Sequence, residues 1–386
     1  MRVASQAVTI ATMLVAGIAP ASAQTREAAK IDAAVKAAMA RTGIKGLAIA
    51  TIADGKPGFV SSYGARNVKS APLETATIMY GASLTKTVFA YTVLQLVDEG
   101  KIDLDKPIAG MLPRPLPEYG NLDAYGNWGD LAGDDRWKTI TPRMVLTHST
   151  GFANFSFDEP DEKLRIHFAP GSRYSYSGEG IILLQFGLEK GLGLDLGAEM
   201  QRRVFDRFGM KNTSMTWRAD FAANLADGWT AEGKVDPHDE RGRVRAAGSM
   251  DTTIADMARF AAALARGEGL SAKARREMAR AQLPITTASQ FPTLQDPAPP
   301  AAQHQGVAAG LGVVTFNGPQ GAGFFKGGHN DSTANTLVCV ERGRRCVVIL
   351  SNDVRAEAMF PELVKAALGE AGVPWGWEYP RLFGKR

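Results

Sequence analysis

Ser83 is the only serine in the chain with a lysine three positions on, Lys86. The stretch reads Gly81-Ala82-Ser83-Leu84-Thr85-Lys86, and a mostly apolar run from Val88 to Val97 follows, with Gly100 just past its end. That pattern predicts a helix buried on nearly all sides and stopped by a C-terminal glycine. Positions i and i+3 share a helix face, so Ser83 would sit on the first turn with Lys86 beside it. A serine hydroxyl is a poor nucleophile until a base takes its proton, and a desolvated, neutral lysine is such a base. The helix N-terminus favours negative charge developing on the serine oxygen or on its acyl adduct. A serine at a helix start is more often a plain cap. The apolar helix behind Lys86 argues against that bland reading, because a solvated surface lysine does not lead into such a run.

The elements that must hold this pair follow from the rest of the chain. Residues 26–42 are Ala-rich and helical in character. Leu47 to Ile52 reads as a strand, Asp54-Gly55 as a hairpin turn, and Phe59 to Tyr63 as the returning strand. Residues 112–135 are rich in Pro, Gly and Asp and carry Tyr119, Tyr125 and Trp128. So long a connection fits a functional rim loop or a meandering surface loop equally. Thr141 and Pro142 open a helix that runs into Leu146-Thr147-His148-Ser149-Thr150-Gly151. His148 lies beside Ser149, but adjacent helical residues point apart, and His148 is read as structural. Gly178 to Leu188, Leu196 to Phe208 and Thr252 to Gly267 are predicted helices. Residues 285–306 are irregular. Strands return at Leu311–Phe316, Gly323–Lys326, Asn335–Val340 and Cys346–Leu350, before a last helix near Arg355 to Gly369.

This order predicts one sheet assembled from both chain ends, with a mainly helical insertion. The expected division is an α/β lobe from residues 24–82 and 240–386 and a helical lobe from 83–239, with the site in the groove between them. Met1-Arg2, the apolar run from Ala7 to Ala19 and Ala21-Ser22-Ala23 read as an export signal over residues 1–23, implying a periplasmic or secreted protein. No later stretch is long and apolar enough to span a membrane. A net charge of +4 without a basic stripe argues against nucleic acid. The five histidines lack metal-ligand spacing, and neither a Walker loop nor a dinucleotide fingerprint is present. If Arg342-Gly343 forms a two-residue turn, Cys339 faces Cys346 across the hairpin. A disulfide and two free thiols are then about equally expected.

Taken together, the motifs resemble the serine penicillin-recognising enzymes, in the branch of class C β-lactamases, D-alanyl-D-alanine carboxypeptidases and related esterases. Besides Ser83-x-x-Lys86, the resemblance rests on four segments. They are Leu146–Gly151, Pro170-Gly171-Ser172-Arg173-Tyr174-Ser175-Tyr176-Ser177-Gly178, Gly209–Ser214 and Ala246-Ala247-Gly248-Ser249-Met250. It covers about residues 30 to 370. It implies an α/β (α+β) fold in which an antiparallel sheet, flanked by N- and C-terminal helices, adjoins a mainly helical lobe.

The resemblance also implies roles. Tyr176 falls on the tyrosine of a Tyr-x-Asn motif. A phenol held near Lys86 would have its pKa lowered by the ammonium, and as phenolate would take the Ser83 proton. Whether Lys86 or Tyr176 is the base stays open. Gly178 stands where the family has an asparagine that holds substrate amides, which disfavours efficient β-lactam hydrolysis. Lys326-Gly327-Gly328 occupies the edge-strand motif. Lys326 would attract a substrate carboxylate or tune the cluster, against the plain alternative of an edge-strand lysine that blocks aggregation. The glycines admit a ligand close to the backbone, and the N–H of His329, with that of Ser83, would form an oxyanion hole. The implied activity is an exported serine hydrolase acting on small esters or amides through an acyl-enzyme, without metal or cofactor. A class C β-lactamase and a non-catalytic binding protein of the same fold are the alternatives.

Overall fold

The continuous apolar runs at the two ends of the chain pair into an eight-stranded antiparallel sheet. The structure is a computed structural model and describes residues 21–384. Apart from its last three residues, the expected export segment at 1–23 lies outside the described residues. The elements that matter here are α1 (Ala21–Thr42), β1 (Gly46–Ala53), β2 (Lys56–Gly64), α2 (Leu84–Asp98), α3 (Pro142–Leu146) and α4 (Gly178–Phe186). They continue with α5 (Ile254–Arg266), β3 (Leu283–Pro284), β4 (Ala308–Ala309), β5 (Val314–Gly318) and β6 (Gly321–His329). The last are β7 (Ala334–Val340), β8 (Arg345–Ser351), α6 (Phe360–Leu368) and α7 (Trp375–Glu378). The sheet order is β2-β1-β8-β7-β6-β5-β4-β3. The first hairpin turns at Asp54 and Gly55, both at positive φ, as a two-residue turn of the primed type requires.

Strand β1 is buried along its length up to Ala53 because both faces of the sheet are covered. Alternation sorts its side chains. Leu47 and Ile49 join Ile31, Val35, Phe360 and Leu363 in a core under α1 and α6. Ala48, Ala50 and Ile52 join Met257, Phe260 and Ala261 of α5 in the core on the other face. Strand β8 follows the same rule, with Val347 and Ile349 in the first core and Cys346, Val348 and Leu350 in the second. Burying each such large aliphatic side chain contributes about 1.5–3 kcal/mol. Helix α5 is delimited by a Thr253 side chain accepting from the Asp256 N–H and by Gly267 in the left-handed region. Helix α2 runs through the second core, buried from Leu84 to Leu96.

Residues 112–135 form short turns of helix rather than a rim. The rings of Tyr119, Tyr125 and Trp128 pack on Phe186 of α4 at centroid distances of 4.9, 5.1 and 5.4 Å. The aromatic content of this connection is core packing, and no residue of 112–135 lines the cavity over Ser83, so of the two equal readings the plain connection is the one realised. The β7–β8 hairpin has the register expected of it, with Val340 opposite Arg345 and Cys339 opposite Cys346. The two cysteines are joined in a disulfide. By loop entropy, so small a ring stabilises by at most about 2.5 kcal/mol. Replacing both cysteines with alanine is expected to lower the urea midpoint by no more than that equivalent. Thiol titration of the unfolded, unreduced wild type should find none free; two free thiols would refute the bridge.

Candidate active site

Ser83 stands at the N-cap position of α2, one residue ahead of the first turn expected for it, and its side chain makes no capping hydrogen bond. Ala82 before it is held at φ 46°, an unfavourable region for a residue with a Cβ. Ser83 Oγ lies 3.0 Å from Lys86 Nζ and accepts a hydrogen bond of 2.8 Å from the Tyr176 hydroxyl. The spacing read from the sequence is thus realised as a three-atom cluster.

Lys86 is 1% exposed, and its Nζ also donates to the Ala247 carbonyl at 2.5 Å. Burial, and then the charge of Lys326, hold its pKa well below the ordinary lysine value. A buried amine with no carboxylate to offset its desolvation is shifted toward its neutral form. Tyr176 leaves an extended segment just before α4, whose N-terminus is capped by Ser177. Its ring lies 4.4 Å from that of His148, and the Nζ atoms of Lys86 and Lys326 each sit 5.0 Å from its centroid. Burial pushes the phenol pKa up, and the Ser83 hydrogen bond only partly offsets it. The expected lowering of Tyr176 is therefore corrected: desolvation dominates, the charge of Glu378 adds to it, and the shift is upward. His148 is buried, its Nδ1 accepts from the Ser177 N–H at 3.2 Å, and burial holds it neutral. Its structural reading stands, as the ring that backs Tyr176.

Strand β5 pairs with β6 only as far as Phe325, so Lys326 to His329 form a free edge facing the cavity. Lys326 is buried, which excludes the aggregation-blocking alternative; its Nζ donates to the Gly327 carbonyl at 2.6 Å. Burial lowers its pKa to about 8, against an opposing pull from Glu378. Gly328 packs on the start of α2, where an added Cβ would come within 3.0 Å of the Ser83 nitrogen. The His329 ring is engaged elsewhere, with Nδ1 2.6 Å from a Glu357 carboxylate oxygen. Burial pulls its pKa down, but Glu357 outweighs it and the net shift is upward.

Gly178 is not on the cavity wall. Its N–H donates to the backbone oxygen of Asn154 at 2.9 Å and to that residue's Oδ1 at 3.0 Å, and an added Cβ would collide with the Phe155 ring. Assigning it to substrate binding is corrected accordingly: Asn154 and Phe155 occupy that wall instead.

The cavity has a volume of about 890 Å³ and opens over Ser83, Lys86, Tyr176 and Lys326. The irregular 285–306 segment reaches the wall through Gln290 and Phe291, whereas Asn154 with Phe155, the segment 239–245 and Glu378 escaped the sequence reading. Within 239–245, Arg241 lies 3.6 Å over the Tyr80 ring and is paired with Asp251. The segment Trp375-Gly376-Trp377-Glu378 matches no motif, so nothing local marked Glu378. Among the described residues no cluster of His, Cys, Asp or Glu could hold a metal ion, and no helix is long and apolar enough to cross a membrane.

The Beta-lactamase family model matches residues 31–369. The chain belongs to the beta-lactamase family. Its relatives there differ in named activity. A lovastatin esterase from Penicillium rubens is 27% identical over 225 residues, 51% of this chain and 56% of its own length. A D-aminopeptidase from Gluconobacter oxydans is 26% identical over 190 residues, 47% of this chain and 35% of its own length. The chain thus spans about half or less of the length of these curated relatives. Among solved structures, the D-alanine carboxypeptidase AmpC from Burkholderia cenocepacia superposes with a TM-score of 0.67 over 89% of this chain and 97% of that one, at 21% identity. A penicillin-binding protein homologue from Pyrococcus abyssi gives 0.68 over 91% and 79%, at 18% identity. At such identities the likeness establishes the fold, and the family's mixed α/β architecture with its antiparallel sheet is the one described above.

Proposed function

We propose that this β-lactamase-family serine hydrolase is an exported esterase that acylates on Ser83 and turns over small esters faster than β-lactams. The observation that carries the reading is the convergence of Lys86 Nζ and the Tyr176 hydroxyl on Ser83 Oγ. Neutral Lys86 takes the Ser83 proton as Oγ attacks the carbonyl carbon. The resulting oxyanion is held by the N–H groups of Ser83 and His329. With Gly327 C=O turned to the free edge, where Lys326 reaches it, strand alternation puts the His329 N–H on that edge too. Removing one such donor costs about 10²–10³ in rate in comparable sites. As the tetrahedral adduct collapses, the Tyr176 phenol protonates the leaving oxygen and is itself reprotonated by the Lys86 ammonium. Water then attacks the acyl carbon, giving its proton to Lys86, and as the bond from the acyl carbon to Oγ breaks, Ser83 Oγ takes that proton back and the acid is released. The disulfide supports export, since such bridges persist in oxidising compartments.

Esters are favoured because their leaving groups need less help from a proton donor than amide nitrogens do. The Phe155 ring also closes the wall where a side chain at 178 would have reached a substrate amide. The named esterase and D-aminopeptidase relatives are compatible with this class. The test compares kcat/KM for p-nitrophenyl acetate and butyrate with that for nitrocefin. The esters are expected to win, with penicillins acting as slow acylating inhibitors. Nitrocefin turning over many-fold faster than either ester would reverse the assignment in favour of a β-lactamase.

A further inference from the structure

The family match ends at residue 369, yet α7, beyond it, contributes Glu378 to the wall of the catalytic cavity. Helix α7 is locked in place by Trp377, whose Nε1 donates to Thr287 Oγ1 at 3.2 Å and whose carbonyl accepts from the Gln290 N–H at 3.0 Å. The Glu378 side chain is 5% exposed, and its Oε2 has no hydrogen-bond partner among the described residues. Its other oxygen would collide with a Cβ on residue 327. Gly327 is therefore glycine for a second reason besides ligand approach: it admits this carboxyl. The same peptide carries Lys326 on its other side, through the bond from Nζ to the Gly327 carbonyl. A carboxyl and an amine thus flank one peptide unit of the free edge. The Gln290 side chain hydrogen-bonds this carboxyl, but a buried carboxylate oxygen left without a partner is costly and calls for an explanation.

We propose that Glu378 is a positioning residue of the active site: lodged against Gly327, its carboxylate holds Lys326 in the cavity wall as a cation. The inference rests on the serine-hydrolase reading of the cluster. The charged and titratable groups that face Glu378 are Lys326 and His329 from β6, Glu357 from the turn before α6, and the phenols of Tyr174, Tyr176 and Tyr379. Burial raises the Glu378 pKa, while Lys326 and His329 pull it back toward the ionised form. In return Glu378 opposes the desolvation of Lys326. The Lys326 charge in turn helps to keep Lys86 neutral and favours the oxyanion at Ser83. The alkaline limb of the ester pH–rate profile should then report loss of the Lys326 proton, near pH 8.

The test is Glu378→Gln in the full chain, which keeps the shape and removes the charge. Because the carboxylate raises the Lys326 pKa, its loss should move the alkaline limb of kcat/KM for p-nitrophenyl acetate down by about one pH unit. Glu378→Asp should restore most of the limb. In a Lys326→Met background, Glu378→Gln should move the profile no further. A uniform loss at every pH with the limb unmoved would assign Glu378 a merely structural part and overturn the proposal. If Glu378→Gln does not fold, Glu378→Met decides in its place, since it too removes the carboxylate while keeping the side-chain length; an unmoved limb there overturns. Fluorophosphonate labelling of wild-type Ser83 separates the two levels: no adduct there sinks the serine-hydrolase reading itself, whereas an adduct with an unmoved limb sinks only the role of Glu378.

Discussion

Ser83→Ala is expected to lower ester turnover by about 10⁴-fold or more, the scale seen when a hydrolase loses its nucleophile. It should also abolish the single covalent adduct that a fluorophosphonate leaves on the wild type, read by intact-mass spectrometry. Ser83 Oγ is the atom on which both Lys86 and Tyr176 converge, so neither can activate anything else from where they stand. The loss should come without a comparable loss of stability. Ser83 does not cap α2, Lys86 keeps its bond to the Ala247 carbonyl, and the one acceptor removed is worth about 1 kcal/mol. A variant that still carries the adduct, or that keeps more than a hundredth of wild-type turnover, would move the nucleophile elsewhere.

That the pair at 83 and 86 could be found without coordinates has a simple cause. It is local: helical spacing sets the geometry, and the surrounding apolar run announces the burial that makes the lysine a base. Strand β1 and the β7–β8 hairpin were legible for the same reason, since alternation and a short turn fix register over a few residues. Tyr176 and Lys326 lie 93 and 243 residues from Ser83 along the chain; their placement came from the resemblance, and their electrostatics came from neither. The phenol's neutrality depends on the sum of burial from α4, β6 and the 285–306 segment, which no motif encodes. Gly178 illustrates the opposite failure. The missing side chain was read as a lost substrate contact, but position 178 does not line the cavity, and the Phe155 ring fills the space a Cβ there would take. Glu378 was missed because only tertiary packing of α7 under β6 carries it to the cavity.

Lys86→Met should separate catalysis from stability more sharply than any other single change. Methionine is unbranched and of similar length, so it fits the space of a side chain that is 1% exposed. Removing the general base is expected to cost about 10²–10⁴-fold in the acylation rate, followed as the burst of p-nitrophenolate. The amine it replaces is buried, has its pKa well depressed and lies near a second lysine, so folding now bears the cost of desolvating it. Exchanging it for a thioether should leave the thermal midpoint unchanged or raise it, because the apolar side chain avoids the cost of burying and deprotonating the amine. Lys86→Arg tests the other half of the argument. An arginine keeps a donor for the Ala247 carbonyl but cannot lose its proton near neutral pH, so it should be as inactive as the methionine variant and less stable. If Lys86→Met instead acylated within tenfold of the wild type, the base would have to be Tyr176. The raised pKa that burial imposes on that phenol would then be relieved by substrate in a way the free site does not display.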